Sequence, residues 1–361
     1  MREDVLKKAG MGYIKNCTEK NSRKRIRVNK ISRRRFLNDS LSLMGSAVVF
    51  PRILMRNTSL PAYPSYMRLH KEGTLAKRVE QLLSVYENCH LCPRDCRVDR
   101  SKGQTGRCLS TAKVKVSSAV PHFGEESPLV GRRGSGTIFF SNCGLRCIYC
   151  QNYSISIDGE GIEISDKRLA EAMIKLQKLG CHNINLVTPT HYVPSIVSAL
   201  QMAIEMGLRI PLVYNTSGYE KLEILQLLED IVDIYMPDCK YMDSAHAAKY
   251  SDGAYSYPYY VKIALKEMFR QVGDLQVEKG IAASGLIIRH LVLPNRIAGT
   301  EEFLKFVAET LSKTTYINLM RQYRPEYKAL ECPEIARRIT TKEYKEALDW
   351  AGKYGLHRLD K

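Results

Sequence analysis

From Thr137 onward the apolar residues fall into two alternating rhythms. Thr137-Ile-Phe-Phe140, Ile184-Asn-Leu-Val187, Ile210-Pro-Leu-Val-Tyr214, Ile231-Val-Asp-Ile-Tyr235, residues 286–293 and Tyr316-Ile-Asn-Leu-Met320 are short apolar runs rich in β-branched and aromatic side chains. They predict six strands. Residues 167–179, 193–206, 220–228, 260–272, 301–311 and 342–354 repeat at helical spacing, and Gly180, Gly207 and Gly355 stand where a left-handed residue closes a helix. Strands that are each followed by a helix or crossover predict parallel pairing with right-handed connections, hence an α/β domain. No repeat of fixed period is present. Residues 75–86 read as a short helix leading into a cysteine-rich loop with Gly103 and Gly106 and few periodic apolar positions. The chain therefore divides into an N-terminal extension at 1–65, a cysteine-rich segment at 75–130 and a core domain at 131–356. Tyr255, Tyr257, Tyr259 and Tyr260, around Pro258, read as a surface-packed loop, with a substrate-facing lid as the functional alternative.

A chain of 361 residues buries a sufficient core without disulfides. Its 44% apolar and 26% charged residues are a globular balance, and residues 41–50, its longest apolar candidate, are too few to span a membrane as a helix. The net charge of +17 is unevenly placed: residues 1–60 hold 15 Lys and Arg against 4 Asp and Glu, and the other 301 residues carry only +6. A basic arm on a near-ordinary body argues against nucleic acid as a partner of the folded part. Within the arm, Ser32-Arg-Arg-Arg-Phe-Leu37 followed by the apolar run at 41–50 resembles a twin-arginine export signal. Against export stand the long basic region, Pro51-Arg52 and the lack of a small-x-small cleavage site before Pro61; an inert arm or an uncleaved anchor in peripheral membrane contact are the other readings.

The 11 cysteines change the picture more. Cys143-Gly-Leu-Arg-Cys147-Ile-Tyr-Cys150 follows directly on the first core strand. Spacings of three and two residues are too tight for independent disulfides, and an odd number of thiols cannot all pair internally. Three thiolates suit three irons of a [4Fe-4S] cluster with the fourth iron open; zinc would need a fourth ligand, and buried free thiols are the plainer alternative. Upstream, Cys89-His-Leu-Cys92-Pro-Arg-Asp-Cys96 and Cys108 form a four-thiol set that suits a second iron–sulfur cluster, a closed zinc site or unligated thiols. Cys17, Cys181, Cys239 and Cys332 are isolated and read as small buried residues. His290 reads as core, and His191, near the expected mouth of the strands, as a ligand candidate.

Gly136-Thr-Ile-Phe-Phe-Ser-Asn-Cys143 through Cys150-Gln151-Asn152 resembles the signature of the radical S-adenosylmethionine (SAM) superfamily, in particular its pyruvate formate-lyase activating enzyme-like branch. Asn183-Ile-Asn-Leu-Val-Thr-Pro-Thr-His191, Pro211-Leu-Val-Tyr-Asn-Thr-Ser-Gly-Tyr219, Val232-Asp-Ile-Tyr-Met-Pro-Asp-Cys-Lys240 and Arg289-His-Leu-Val-Leu-Pro294 extend the likeness, which covers about residues 88–356. The resemblance implies a partial (β/α)6 TIM-like barrel of the radical SAM type behind an N-terminal cysteine-rich segment, with its site at the C-terminal strand ends. It implies a [4Fe-4S] cluster on Cys143, Cys147 and Cys150, and reductive cleavage of SAM to a 5′-deoxyadenosyl radical that abstracts a substrate hydrogen. By the same resemblance Tyr149 occupies the place of an aromatic side chain against adenine. Asn215 and Thr216 stand where polar groups hold methionine or ribose oxygens. Asp238 and Lys240 match an Asp-x-Lys whose cation pairs with the SAM carboxylate, or else with Asp238 itself. Where many relatives carry a Gly-Gly-Glu run for the SAM amino group, this chain has Thr188-Pro-Thr190-His191. Thr188 and Thr190 offer hydroxyl and backbone oxygens but no carboxylate. Gly144 likewise replaces a common Asn.

On this resemblance the chain is an oxidoreductase of the activating-enzyme kind. It takes electrons from a reductant such as flavodoxin or ferredoxin and abstracts hydrogen from a protein, as a glycyl-radical-enzyme activase does, or from a small molecule. A non-enzymatic iron–sulfur sensor or electron carrier is the third reading, and SAM turnover separates it from the other two. SAM and low-potential reductants are cytoplasmic, so a cytoplasmic location, free or membrane-tethered, is expected despite the twin-arginine-like run.

Overall fold

In the computed structural model, the six apolar runs become six parallel strands whose backbone donors and acceptors satisfy one another in the sheet. The structure describes residues 64–360, which belong to one compact unit spanning 61–361. The twin-arginine-like run, the apolar stretch at 41–50 and Cys17 lie outside the described residues. Among the described residues no helix is long and apolar enough to cross a membrane.

In chain order the elements are α1 (Tyr66–Lys71), α2 (Thr74–Ser84), β1 (Val114–His122), α3 (Ser127–Val130), β2 (Ser135–Phe140), α4 (Tyr153–Ser156), β3 (Ile162–Ile164), α5 (Asp166–Lys178), β4 (Ile184–Val187) and α6 (Val193–Glu205). They continue with β5 (Leu212–Thr216), α7 (Leu222–Leu227), β6 (Ile234–Pro237), α8 (Ser244–Tyr250), α9 (Tyr257–Val272), β7 (Gln276–Glu278), β8 (Ile281–Leu291), α10 (Thr300–Thr310), β9 (Tyr316–Met320) and α11 (Thr341–Lys353). The fold is mixed α/β around a nine-stranded sheet ordered β3-β1-β2-β4-β5-β6-β8-β7, with β9 also paired to β8. Strands β2, β4, β5, β6, β8 and β9 pair in parallel in that succession, and they are the six expected from the apolar runs. Three antiparallel additions were not expected: β1 beside β2, β3 beside β1 and β7 beside β8.

Val213 of β5, Ile234 and Met236 of β6 and Ile287 of β8 meet Leu129 of α3 in a fully buried cluster. Helices α5 and α6 pack together, and α9 lies against β6 and β8. Gly180, Gly207 and Gly355 all adopt positive φ just past their helices, as the sequence suggested. One expectation is corrected. α9 begins at Tyr257, three residues before the expected start at Tyr260, so Tyr257 and Tyr259 belong to its first turn and not to a loop, because Pro258 sits at the start of the helix, where its missing N–H costs nothing.

Candidate active site at the strand ends

Register places the expected polar residues at one level. Val187 pairs with Asn215, Asn215 with Met236 and Thr216 with Pro237. The ladder runs on beyond the strands: Thr188 N–H donates to Asn215 O at 2.8 Å, Asp238 N–H to Thr216 O at 2.8 Å and Cys239 N–H to Arg289 O at 2.8 Å. The C-terminal ends of β4, β5, β6 and β8 therefore share a rim. Thr188, a β-branched residue at φ 59°, turns the chain off β4; such a conformation costs about 1–3 kcal/mol and is held here by its surroundings.

The three-cysteine loop leaves β2 at this rim. Its thiols each have a hydrogen-bond partner: Cys143 Sγ accepts from Leu145 N–H at 3.4 Å, Cys147 Sγ from Ser251 Oγ at 3.1 Å, and Cys150 Sγ shares a hydrogen bond with Ser156 Oγ at 3.0 Å. Burial pushes the Cys143 thiol up, and it pushes the Cys147 thiol up to about 12, with the Lys240 charge the strongest opposing influence on Cys147. Among the described residues no three His, Cys, Asp or Glu side chains converge as a single metal ion requires. Three clustered thiols, each with a hydrogen-bond partner, suit the ligation of an iron–sulfur cluster.

Beside Cys143 opens a cavity whose walls include Gly144, Thr188, Thr190, His191, Ser217 and Tyr219. Thr188 and Thr190 thus reach it, as does His191. His191 is 3% exposed, and its Nε2 bonds the Ser141 carbonyl at 2.8 Å, so Nε2 carries the proton and Nδ1 is a lone-pair acceptor. That Nδ1 is buried without a hydrogen-bond partner. Burial, reinforced by the Arg100 charge, pushes the imidazole down to about 3 and keeps it neutral.

Behind Thr190 lies a residue that sequence reasoning missed. Glu220 is fully buried and accepts hydrogen bonds from Thr190 Oγ1 at 2.6 Å, from Thr216 Oγ1 and from Tyr214 OH at 3.4 Å. Burial pushes its carboxyl up to about 7, against the pull of these hydroxyls. Thr216 is in this way committed to Glu220. Asn215, Asp238 and Lys240 form a second group joined by another unexpected residue: Arg289 donates to Asn215 Oδ1 at 2.6 Å and to Asp238 Oδ1 at 2.8 Å, and Lys240 Nζ bonds Asp238 Oδ2 at 2.7 Å. Burial works against the Asp238 carboxylate, yet Arg289 and Lys240 hold it below the usual range. The Tyr257 hydroxyl, from the aromatic stretch, donates to the Ser217 and Asp238 carbonyls and accepts from Lys240 N–H at 2.9 Å. Tyr149 is buried edge-on against Tyr241 and Tyr323 and is not among the residues lining the cavity. His290 is core, bonded to Cys239 O and Thr300 Oγ1 and stacked on Phe303. Cys181, Cys239 and Cys332 are buried.

Cys89, Cys92, Cys96 and Cys108 all line a second cavity, and Cys92 and His191 belong to the walls of both. Arg94 ties this upstream loop to the rim. Its guanidinium donates to the carbonyls of Gly144 at 2.8 Å, Ser251 at 3.0 Å and Asp252 at 2.9 Å.

Residues 137–270 match the radical SAM superfamily domain. The uncharacterized protein MJ0674 of Methanocaldococcus jannaschii is 34% identical over 297 residues, covering 79% of this chain and 80% of that protein. The uncharacterized protein MJ0808 of the same organism is 24% identical over 282 residues, covering 71% and 78%. Among solved structures, Streptococcus suis SuiB bound to precursor peptide SuiA aligns with TM-score 0.41 and 11% identity, over 59% of this chain and 44% of the SuiB chain.

Proposed function

The chain carries a radical SAM superfamily domain and belongs to the family of MJ0674, and from that premise we propose that it is a SAM-cleaving enzyme. In this reading the six parallel strands form an open barrel with the reaction at their C-terminal ends. Cys143, Cys147 and Cys150 hold a [4Fe-4S] cluster, and SAM occupies the cavity beside Cys143. When bound, cluster and SAM together supply reductive sulfonium cleavage and hydrogen abstraction.

The observation that supports this most is the acceptor set next to the three-cysteine loop. Thr190 spends its proton on Glu220, which leaves its oxygen an acceptor, and His191 Nδ1 is an unpaired buried acceptor on the same cavity. Together they suit the N–H groups of the SAM amino group, the contact for which β4 lacks a carboxylate, and leave that group's lone pair for the open iron. Arg289 fixes Asn215 and Asp238, and Asp238 fixes Lys240, so these side chains are oriented before a ligand arrives. The electron comes from a flavodoxin- or ferredoxin-like reductant on the cytoplasmic side. The hydrogen donor is a protein, as for an activating enzyme, or a small molecule.

Anaerobic turnover with dithionite tests the proposal. Protein with a full, reducible cluster should release methionine and 5′-deoxyadenosine from SAM, and the Cys143→Ala/Cys147→Ala/Cys150→Ala variant should release none. If the wild type yields no 5′-deoxyadenosine even with cell extract as a source of substrate, the sensor or carrier reading replaces the enzyme. Deuterium carried into 5′-deoxyadenosine from a labelled extract fraction identifies the donor, and the size of that fraction tells protein from small molecule.

A further inference from the structure

We infer that Cys89, Cys92, Cys96 and Cys108 hold a second iron–sulfur cluster, closed by four thiolates and separate from the three-cysteine site. The four thiols come from one loop yet all line a single cavity. That loop is short of apolar residues and carries left-handed backbone at three non-glycine positions, Asp95 (φ 47°), Arg97 (φ 57°) and Leu109 (φ 58°). Such strain persists only where something organises the loop from within, and a bound cluster does so. Gly106 is required for the approach: a Cβ there would lie 2.7 Å from Cys96 Sγ. The next residue, Arg107, turns its backbone N–H onto the same sulfur at 3.3 Å, the hydrogen bond a thiolate ligand takes.

Charge separates a cluster from free or paired thiols. Arg100 is 1% exposed and lines this cavity. Its guanidinium donates to the carbonyls of Ser110 at 3.0 Å, Thr111 at 2.6 Å and His191, and lies over the Tyr86 ring at 4.8 Å. Carbonyl dipoles solvate a cation without neutralising it. The ionisable groups that act on it most are the thiols of Cys108 and Cys89 and the Tyr86 phenol, none of them a carboxylate. A buried cation left without a counter-charge costs several kcal/mol. Four thiolates around iron and sulfide are anionic overall and supply that counter-charge; neutral thiols and disulfides do not. Zinc on four thiolates would also be anionic, and metal analysis separates it from a cluster.

The test uses full-length protein carrying Cys143→Ala, Cys147→Ala and Cys150→Ala, reconstituted anaerobically with ferrous iron and sulfide. It should retain about four irons and about four sulfides per chain. Its paramagnetic signal on reduction should not change on adding SAM, because four thiolates leave no open iron. Adding Cys92→Ala and Cys96→Ala should remove that iron. Less than about one iron per chain in the triple variant, or one zinc kept through purification, overturns the inference. Should the triple variant fold poorly, the wild type decides by Mössbauer count: about eight irons support two clusters, and about four, all lost to SAM-perturbed signals, contradict the second. If the three-cysteine reading fails and this one holds, wild type and triple variant carry the same iron. Arg100→Met should further lower the upstream cluster's midpoint potential relative to Arg100→Lys, since only the lysine keeps the charge. Equal potentials would contradict the counter-charge argument.

Discussion

Glu220 shows how a single buried carboxyl ties the stability of the fold to the state of the site. It has three hydroxyl donors and no cation, and the ionisable groups that face it are Tyr214, Tyr235 and Cys92. With its carboxyl pushed up to about 7, the folded protein holds a proton that the unfolded chain loses near its ordinary value of 4.5. The stabilising contribution is complete below the lower value and is lost as pH rises through the higher one. Denaturant titrations from pH 5 to 8 should therefore show wild type losing stability relative to Glu220→Gln, by about 3 kcal/mol at full effect. The comparison must be with the variant, because burial also pushes Asp233 up to about 6 and it titrates in the same sense. Parallel profiles for the two proteins would show that Glu220 is already ionised at low pH. Thr190→Val removes the oriented acceptor, and should weaken SAM binding by up to about tenfold by calorimetry while leaving iron content unchanged, the scale of one net hydrogen bond. Unchanged affinity would mean that a backbone oxygen receives the amino group.

At the scale of elements, the rim is assembled by one side chain reaching across sequence. Arg94 leaves the upstream loop and bonds carbonyls in both the three-cysteine loop and the loop after α8, whose Ser251 in turn donates to Cys147. Arg94→Met should lower unfolding free energy by about 2–3 kcal/mol and speed amide exchange across residues 143–150 and 250–253; unchanged exchange there would refute the clamp. Such a link was not legible in the sequence, where Arg94 is one more charged residue. The parallel strands were legible because burial on both faces makes their apolar runs nearly continuous. β1 escaped notice because its half-buried run Val-Lys-Val-Ser-Ser-Ala-Val-Pro-His neither alternates cleanly nor avoids proline, and β3 and β7 are three residues each and largely exposed. The two groups of clustered thiols were legible from their spacing. Glu220 and Arg289 were not: one lies in a turn after β5 and the other inside β8, and only the parallel register brings them to Thr190 and Asp238.

Over the whole molecule, six strands in one parallel succession bring the two cysteine loops and the polar strand ends to a common rim, with Cys92 and His191 on the walls of both cavities. A fold of this kind concentrates chemistry at one end and leaves the substrate to the loops above it. The central claim is that the iron left open by Cys143, Cys147 and Cys150 takes SAM through its amino and carboxylate groups. Electron–nuclear double resonance on the reduced protein, with SAM carrying ¹⁵N in the amino group and ¹³C in the carboxylate, tests it most directly. The account predicts hyperfine coupling from both labels to the cluster, absent in Cys143→Ala. A reduced wild-type cluster that binds SAM and shows coupling from neither label would contradict it.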